Sequence, residues 1–342
     1  MKTIETRPAA PGDASDLSNL LAQRHRRDCT RVSRLNPQLK EPAAWRPMVD
    51  GLLANPRADV QVAMRAGAVV GFLAGERMLL GPADFASQFI PPQSTQSGLE
   101  SQAVADGEDA LNILRALYAV LARTWVDAGF FTHRISITHG DAELQEAWVT
   151  LGFGRYMTAA TRPTADPVAQ ARPRSIRIER ASPEDIEDVM ALADNLNAWH
   201  WQAPMFWPIL EAPAAAARQF NLAALRNADV PYFVAYEDGR PVGMQTFLRP
   251  GFTPPIVDHS SDVYLFEGVV SDDVRGGGVG AGLLAHSMEW ARRAGHETCT
   301  LHFASGNPSG APFWLGHGFA PVEHTMERTI DSRVMWARPR GS

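Results

Sequence analysis

A fixed register shift relates two distant stretches of this chain, and it limits the possible architectures more than any other feature. Ile4, Ala9, Pro11, Asp13, Asp16 and Leu20 recur as Ile176, Ala181, Pro183, Asp185, Asp188 and Leu192, each 172 residues later. The same shift carries Ala63–Gly71 onto Ala235–Gly243, where both copies read as hairpins turning at glycine, Asp238-Gly239 being the stronger signal. Farther on the shift becomes 166 and aligns Gly129, Gly140, Trp148, Gly152 and Phe153 with Gly295, Gly306, Trp314, Gly318 and Phe319. Two copies of one domain, differing by short insertions, account for this pattern. At 342 residues the chain is also too long for one ordinary core. One domain is expected over residues 1–162, a proline-rich linker over 163–174 and the second domain over 175–342.

Each copy reads coarsely as β-α-α-β-β-β-α-β-α-β-β. In the second, Ser182-Pro183-Glu184-Asp185 has the chemistry of a helix start: a hydroxyl cap, proline at the first position and acids in the first turn. A later helix keeps Val279, Leu283, Leu284, Met288 and Ala291 on one stripe and ends at Arg292, Arg293 and Gly295. Closing strands are expected over 321–331 and 333–337. In the first copy, residues 88–109 are rich in Pro, Gln, Ser and Gly and read as an irregular loop.

The strand predicted over Asp262–Val270 runs into Ser271-Asp272-Asp273-Val274-Arg275-Gly276-Gly277-Gly278-Val279-Gly280. Glycines let successive backbone N–H groups converge on one point, and the helix that follows adds unpaired N–H groups and partial positive charge, which together make an anion cradle. Gly276, Gly278 and Ala281 satisfy a loosened dinucleotide pattern, yet five residues separate Val270 from the first glycine and the next strand lacks the acid that would hold a ribose. A Walker-type loop would need Lys beside Ser or Thr where Ala281-Gly282 stands.

Loop, helix, Asn307, Trp314 and Gly318-Phe319 at these spacings resemble the GNAT superfamily of acyl-CoA-dependent N-acyltransferases. The resemblance spans nearly the whole chain as two tandem domains, with the diagnostic motifs in the second. It implies an α/β (α+β) fold, in which each domain is a mixed, mostly antiparallel splayed sheet flanked by helices. It also implies that the backbone of Gly276, Gly277, Gly278, Val279 and Gly280, with Arg275, holds the CoA pyrophosphate, and that Val269 and Val270 meet the pantetheine and acyl carbonyl. Asn307 would meet the pantetheine arm, or else cap the helix that follows. Asp272 replaces the family's usual proline, and Trp314 replaces the tyrosine that protonates the departing thiolate. Indole cannot deliver a proton in that way; the alternatives are that the fairly acidic CoA thiol leaves with hydrogen-bond help alone or that Ser305, Ser309 or His317 substitutes. In the first copy Asp109 falls on Arg275 and Ala110-Leu111-Asn112 on the three glycines, so a carboxylate would stand where a pyrophosphate should sit and CoA binding is not expected there.

An amine must lose a proton to attack a thioester, and Glu267 is the candidate base; the alternative is a solvent-facing strand residue. His302 is a weaker candidate, because a lone histidine in an apolar strand is more often packed in a core. Trp199, Trp201 and Trp207 would form an aromatic wall for the acceptor or, more blandly, a packed interface between the domains. The expected activity is transfer of an acyl group, acetyl foremost, from acetyl-CoA to a primary amine of a small molecule, without a metal. A non-catalytic acyl-CoA-binding protein and a mycothiol-synthase-like acetyltransferase are the alternatives. A net charge of −6 argues against a nucleic-acid partner, and no apolar run approaches a membrane span. With Cys29 and Cys299 far apart and no signal core at the start, a cytoplasmic location is expected. Nothing in the sequence sets the oligomeric state.

Overall fold

The computed structural model describes residues 4–168, 175–210, 212–229 and 231–336. Residues 169–174 of the expected linker lie outside them, as does residue 337 of the last expected strand. In order, the first half runs β1 (Glu5–Pro8), α1 (Ala14–Arg31), α2 (Pro42–Ala54), β2 (Ala58–Arg65), β3 (Ala68–Leu79), β4 (Gln93–Ser97), β5 (Gln102–Val104), α3 (Ala110–Asp127), β6 (Thr132–Thr138), α4 (Ala142–Thr150) and β7 (Gly154–Pro163). The second runs β8 (Arg177–Arg180), α5 (Ile186–Trp201), α6 (Ala212–Leu225), β9 (Tyr232–Glu237), β10 (Arg240–Leu248), β11 (Asp262–Val270), α7 (Val279–Arg293), β12 (Thr298–Ala304), α8 (Gly310–Gly316) and β13 (Ala320–Thr329). The duplicated, mixed α/β architecture is therefore present.

The chain builds two compact units, and neither is a continuous stretch. Among the described residues, one comprises those up to 81, 90–156 and those from 323 on, the other 82–89 and those between 157 and 322. In the first unit the sheet order is β1-β2-β3-β4-β6-β13, with β5 added beside β3. In the second it is β8-β9-β10-β11-β12-β7. Each sheet thus takes its last strand from the other half of the chain: Glu323–Thr329 pairs with Thr138–Thr132, and Met157–Pro163 pairs with Ala304–Thr298. The boundary expected at Arg162 falls inside β7.

Local chemistry explains the elements. Both hairpins turn on two consecutive positive-φ residues, Ala66 and Gly67 at 53° and 86°, Asp238 and Gly239 at 51° and 80°, which suits the right-handed twist of paired strands. Ser182 and Asp185 bond reciprocally as a capping box at the entry to α5, as the sequence predicts. Two expectations fail. Residues 88–109 carry strands β4 and β5, because a strand needs backbone partners and β3 and β6 provide them whatever the side-chain polarity. Residues 332–335 form a 3-10 turn, held by Asp331 accepting from the Arg333 N–H.

In the second unit α7 packs Val279, Leu283, Leu284 and Met288 on one sheet face against Val263, Leu265 and Leu301. On the other face α5 packs Val189 and Leu192 against Val234, Met244 and Val269. No helix among the described residues is long and apolar enough to cross a membrane.

Candidate functional site

The site begins as a fork between β11 and β12. Their parallel pairing runs from Asp262–Thr298 to Leu265–Leu301 and stops, although β11 continues to Val270 and β12 to Ala304. The closed end is pinned by buried Asp262, which accepts from Thr253 Oγ1 at 2.6 Å, Thr300 Oγ1 at 2.8 Å and Thr298 Oγ1 at 3.0 Å. Beyond Leu265 the facing edges of the two strands separate, leaving backbone groups that an extended, amide-bearing ligand can bridge.

A β-bulge decides what the fork presents. Thr246 faces Glu267 and Phe247 faces Leu265, so Phe266 is an extra residue on β11. In an unbroken strand Leu265, Glu267 and Val269 would share a face. Here Leu265 faces α7 while Val269 faces α5, and the bulge turns Phe266 and Glu267 to the side of α5 and α6. The Glu267 backbone N–H donates to Thr246 Oγ1 at 3.1 Å, but its carboxyl oxygen Oε2 is buried with no hydrogen-bond partner among the described residues. Removal from water pushes this carboxyl up to about 7.

His302, one residue past the last rung on β12, has its Nδ1 2.8 Å from the Tyr264 hydroxyl. Burial holds it down to about 4, so the ring is neutral and weakly basic near pH 7.

At the open end, Gly276 and Gly278 adopt φ of 74° and 88°, and Gly278 caps α7 without any side-chain acceptor. Among the described residues no side chain caps the first turn of α7. Arg275 does not point freely into the loop. Its Nε donates to the Val270 carbonyl at 3.0 Å, its Nη2 meets Asp272 at 2.7 Å, and its guanidinium lies 4.0 Å from the Trp199 ring centre. Arg275 therefore ties the strand end to the loop.

Asn307 is a cap. Its Oδ1 accepts from the N–H groups of Ser309 at 3.1 Å and Gly310 at 2.9 Å, and from Trp199 Nε1 at 3.4 Å. Its counterpart Asp141 likewise accepts from the N–H three residues on, that of Leu144 at 3.1 Å, there as the N-cap residue of α4 itself. The three tryptophans differ in their surroundings. Trp199 meets Arg275 and Asn307, Trp207 packs 4.7 Å from His200, and Trp201 is exposed. Trp314 is buried in the core beneath α7. Ser305 is engaged with Thr158, Ser309 with Asn307, and His317 with the Phe313 carbonyl.

The same positions in the first unit are filled. Where the second unit has its glycine loop, α3 begins three residues earlier, and Asp109 caps it by accepting from the Asn112 N–H at 3.0 Å. Sequence reasoning missed Gln102, which stands at the place of Gly268. Its Nε2 donates to the Ser136 carbonyl at 2.7 Å and its Oε1 accepts from Trp148 Nε1 at 3.0 Å, so its amide spans from β5 to β6. Aligning Gln102 with Gly268 at the 166-residue shift was the signal available.

Residues 192–319 match the acetyltransferase (GNAT) family. No curated protein sequence matches the chain. Among solved structures it resembles a GCN5-related N-acetyltransferase from Sphaerobacter thermophilus, with a TM-score of 0.58 at 13% identity over 95% of each chain. It also resembles a GCN5-related glucosamine N-acetyltransferase region in a fungal multi-domain GH3 beta-N-acetylglucosaminidase, with a TM-score of 0.55 at 13% identity over 96% of this chain and 38% of that one. A tandem GNAT protein from the clavulanic acid biosynthesis pathway gives 0.50 at 17% identity over 96% and 98%. At these identities the likeness is one of fold.

Proposed function

We propose that this chain, whose residues 192–319 match the acetyltransferase (GNAT) family, transfers an acetyl group from acetyl-CoA to a primary amine of a small molecule. That match supports acyl-CoA-dependent acetyl transfer in general. The finer reading rests on one observation: a carboxyl group at the fork whose Oε2 is buried, without a hydrogen-bond partner among the described residues, and which is pushed up to about 7. A base of that strength shares a proton readily with an amine at neutral pH.

In this reading the acyl chain enters between the separated ends of β11 and β12, with the pyrophosphate on the N–H groups of Gly276–Gly280 and the pantetheine against Val269 and Val270. Arg275 holds the loop to the strand end. The amine nitrogen attacks the thioester carbonyl carbon, a C–N bond forms and the C–S bond breaks. The nitrogen's proton passes to Glu267, and the thiolate leaves with the electron pair and takes a proton from water. Glu267 serves better than His302, whose ring burial has already made a poor base. The first domain binds no CoA, because Asp109 occupies its helix start and Gln102 its fork. We place the reaction in the cytoplasm, where Cys29 and Cys299 remain free thiols.

Thiol release from acetyl-CoA across a panel of amines tests this. Turnover that falls at least roughly a hundredfold in Glu267→Gln with acetyl-CoA affinity kept supports it. Tight CoA binding without turnover on any amine, peptide or hydroxyl acceptor would favour a binding protein instead.

A further inference from the structure

Phe266, the extra residue of the bulge, is the hub of a ring cluster that the transfer reading leaves unused. Around it stand Phe220 of α6 at 5.7 Å, Phe252 at 6.0 Å with nearly parallel planes, and Phe89 at 6.2 Å edge-on. Tyr264 adds a fifth ring, 5.6 Å from Phe252. Phe252 keeps 55% of its surface exposed, and Phe89, Phe220 and Phe266 are each partly open. Because the bulge turns Phe266 and Glu267 to one face, this cluster gathers on the face of β11 that carries the Glu267 side chain.

The origin of two of the rings is informative. Phe252 lies in the connection from β10 to β11. Phe89 lies in the connection from β3 to β4, the matching place in the first copy of the repeat, yet residues 82–89 belong to the second unit. Equivalent loops of the two copies thus each bring a phenylalanine to the same strand of one site.

We infer that the amine accepted at Glu267 is carried on an aromatic or similarly flat apolar body, and that Phe89 and Phe252 select it. The inference rests on the acetyl-transfer reading for its place in catalysis. Rings offer a polyhydroxylated amine no hydrogen-bond partners, and each hydroxyl stripped of water without one costs roughly 1–3 kcal/mol. A flat apolar body gains by burial and by ring stacking, and its ammonium form is attracted to ring faces before it loses its proton.

Titration calorimetry on the full chain saturated with CoA, using phenethylamine and glucosamine as probes, tests this alongside thiol release from acetyl-CoA. Phenethylamine should bind at least about tenfold tighter than glucosamine, and Phe89→Ala and Phe252→Ala should each weaken it roughly five- to tenfold while the acetyl-CoA Kd stays unchanged. Phe252 is exposed enough that its variant should fold even if Phe89→Ala does not. Equal or better binding of glucosamine, no binding of phenethylamine, or indifference to both substitutions overturns the inference. Phe89-dependent binding without acetylation would sink the transferase reading and leave the ring wall standing. Acetylation of glucosamine with phenethylamine ignored would do the reverse.

Discussion

A methyl group added at Gly268 would come within 2.9 Å of Cζ2 of Trp314, so the indole occupies the space that a side chain there would need. In the other copy the equivalent Trp148 meets a side chain instead, its Nε1 donating to Gln102. One tryptophan, conserved between the two copies of the repeat, thus lies beside an open fork in one unit and a plugged one in the other. Gly268→Gln should raise the acetyl-CoA Kd by more than about tenfold, roughly 1.4 kcal/mol, while Gln102→Gly should leave binding at one CoA per chain. Calorimetric stoichiometry and affinity decide both; a Gly268→Gln protein that binds normally removes the fork from the CoA site.

The two loops should respond oppositely to substitution. Arg275→Ala removes the tie between Val270 and the glycine loop and should weaken acetyl-CoA strongly, and Arg275→Lys should restore little, since an ammonium cannot reach a carbonyl, a carboxylate and a ring face together. Asp109→Ala should leave CoA affinity alone and cost about 1 kcal/mol of stability through the lost cap, read from urea unfolding.

Glu267 ties activity and stability to pH with opposite signs. Turnover at low amine concentration should rise as pH passes about 7, and Glu267→Gln should flatten that limb. For stability, the folded carboxyl holds its proton up to about 7, whereas the unfolded one releases it near 4.5. Its contribution is full below about 4.5 and is lost as pH rises through 7. Glu267→Gln should therefore gain on the native protein by up to about 3 kcal/mol between pH 4 and pH 8, and an equal difference at both pH values would refute the burial of this carboxyl.

The exchange of closing strands predicts that residues 175–342 will not fold alone. That fragment lacks 157–163, which pair with every residue of β12, and leaves β12 as a bare apolar edge. It should aggregate or unfold without a sharp transition. A cooperative, acetyl-CoA-binding fragment would show that the strand is dispensable.

The sequence by itself determined the duplication, most of the order of elements, the helix start at Ser182, the glycine loop and the loss of that loop at Asp109. All of these are local in chain order: a turn needs its positive-φ residues, a helix start its cap, and a repeat is visible as a shift. The exchanged strands could not be read that way. Val322 and Glu323 are neighbours in β13 yet belong to different units, because strand partners are chosen through long-range backbone pairing that composition does not encode. The same holds for the site. Glu267 was identifiable as an acid three residues before Val270, but alternation along β11 would have aimed it with Leu265 toward α7. One extra residue at Phe266 reverses it, and that bulge exists only in the register between β10 and β11. The tertiary structure alone decided which face carries the carboxyl, that Asn307 caps α8 and Arg275 clasps Val270, and that Phe89 stands with Phe266.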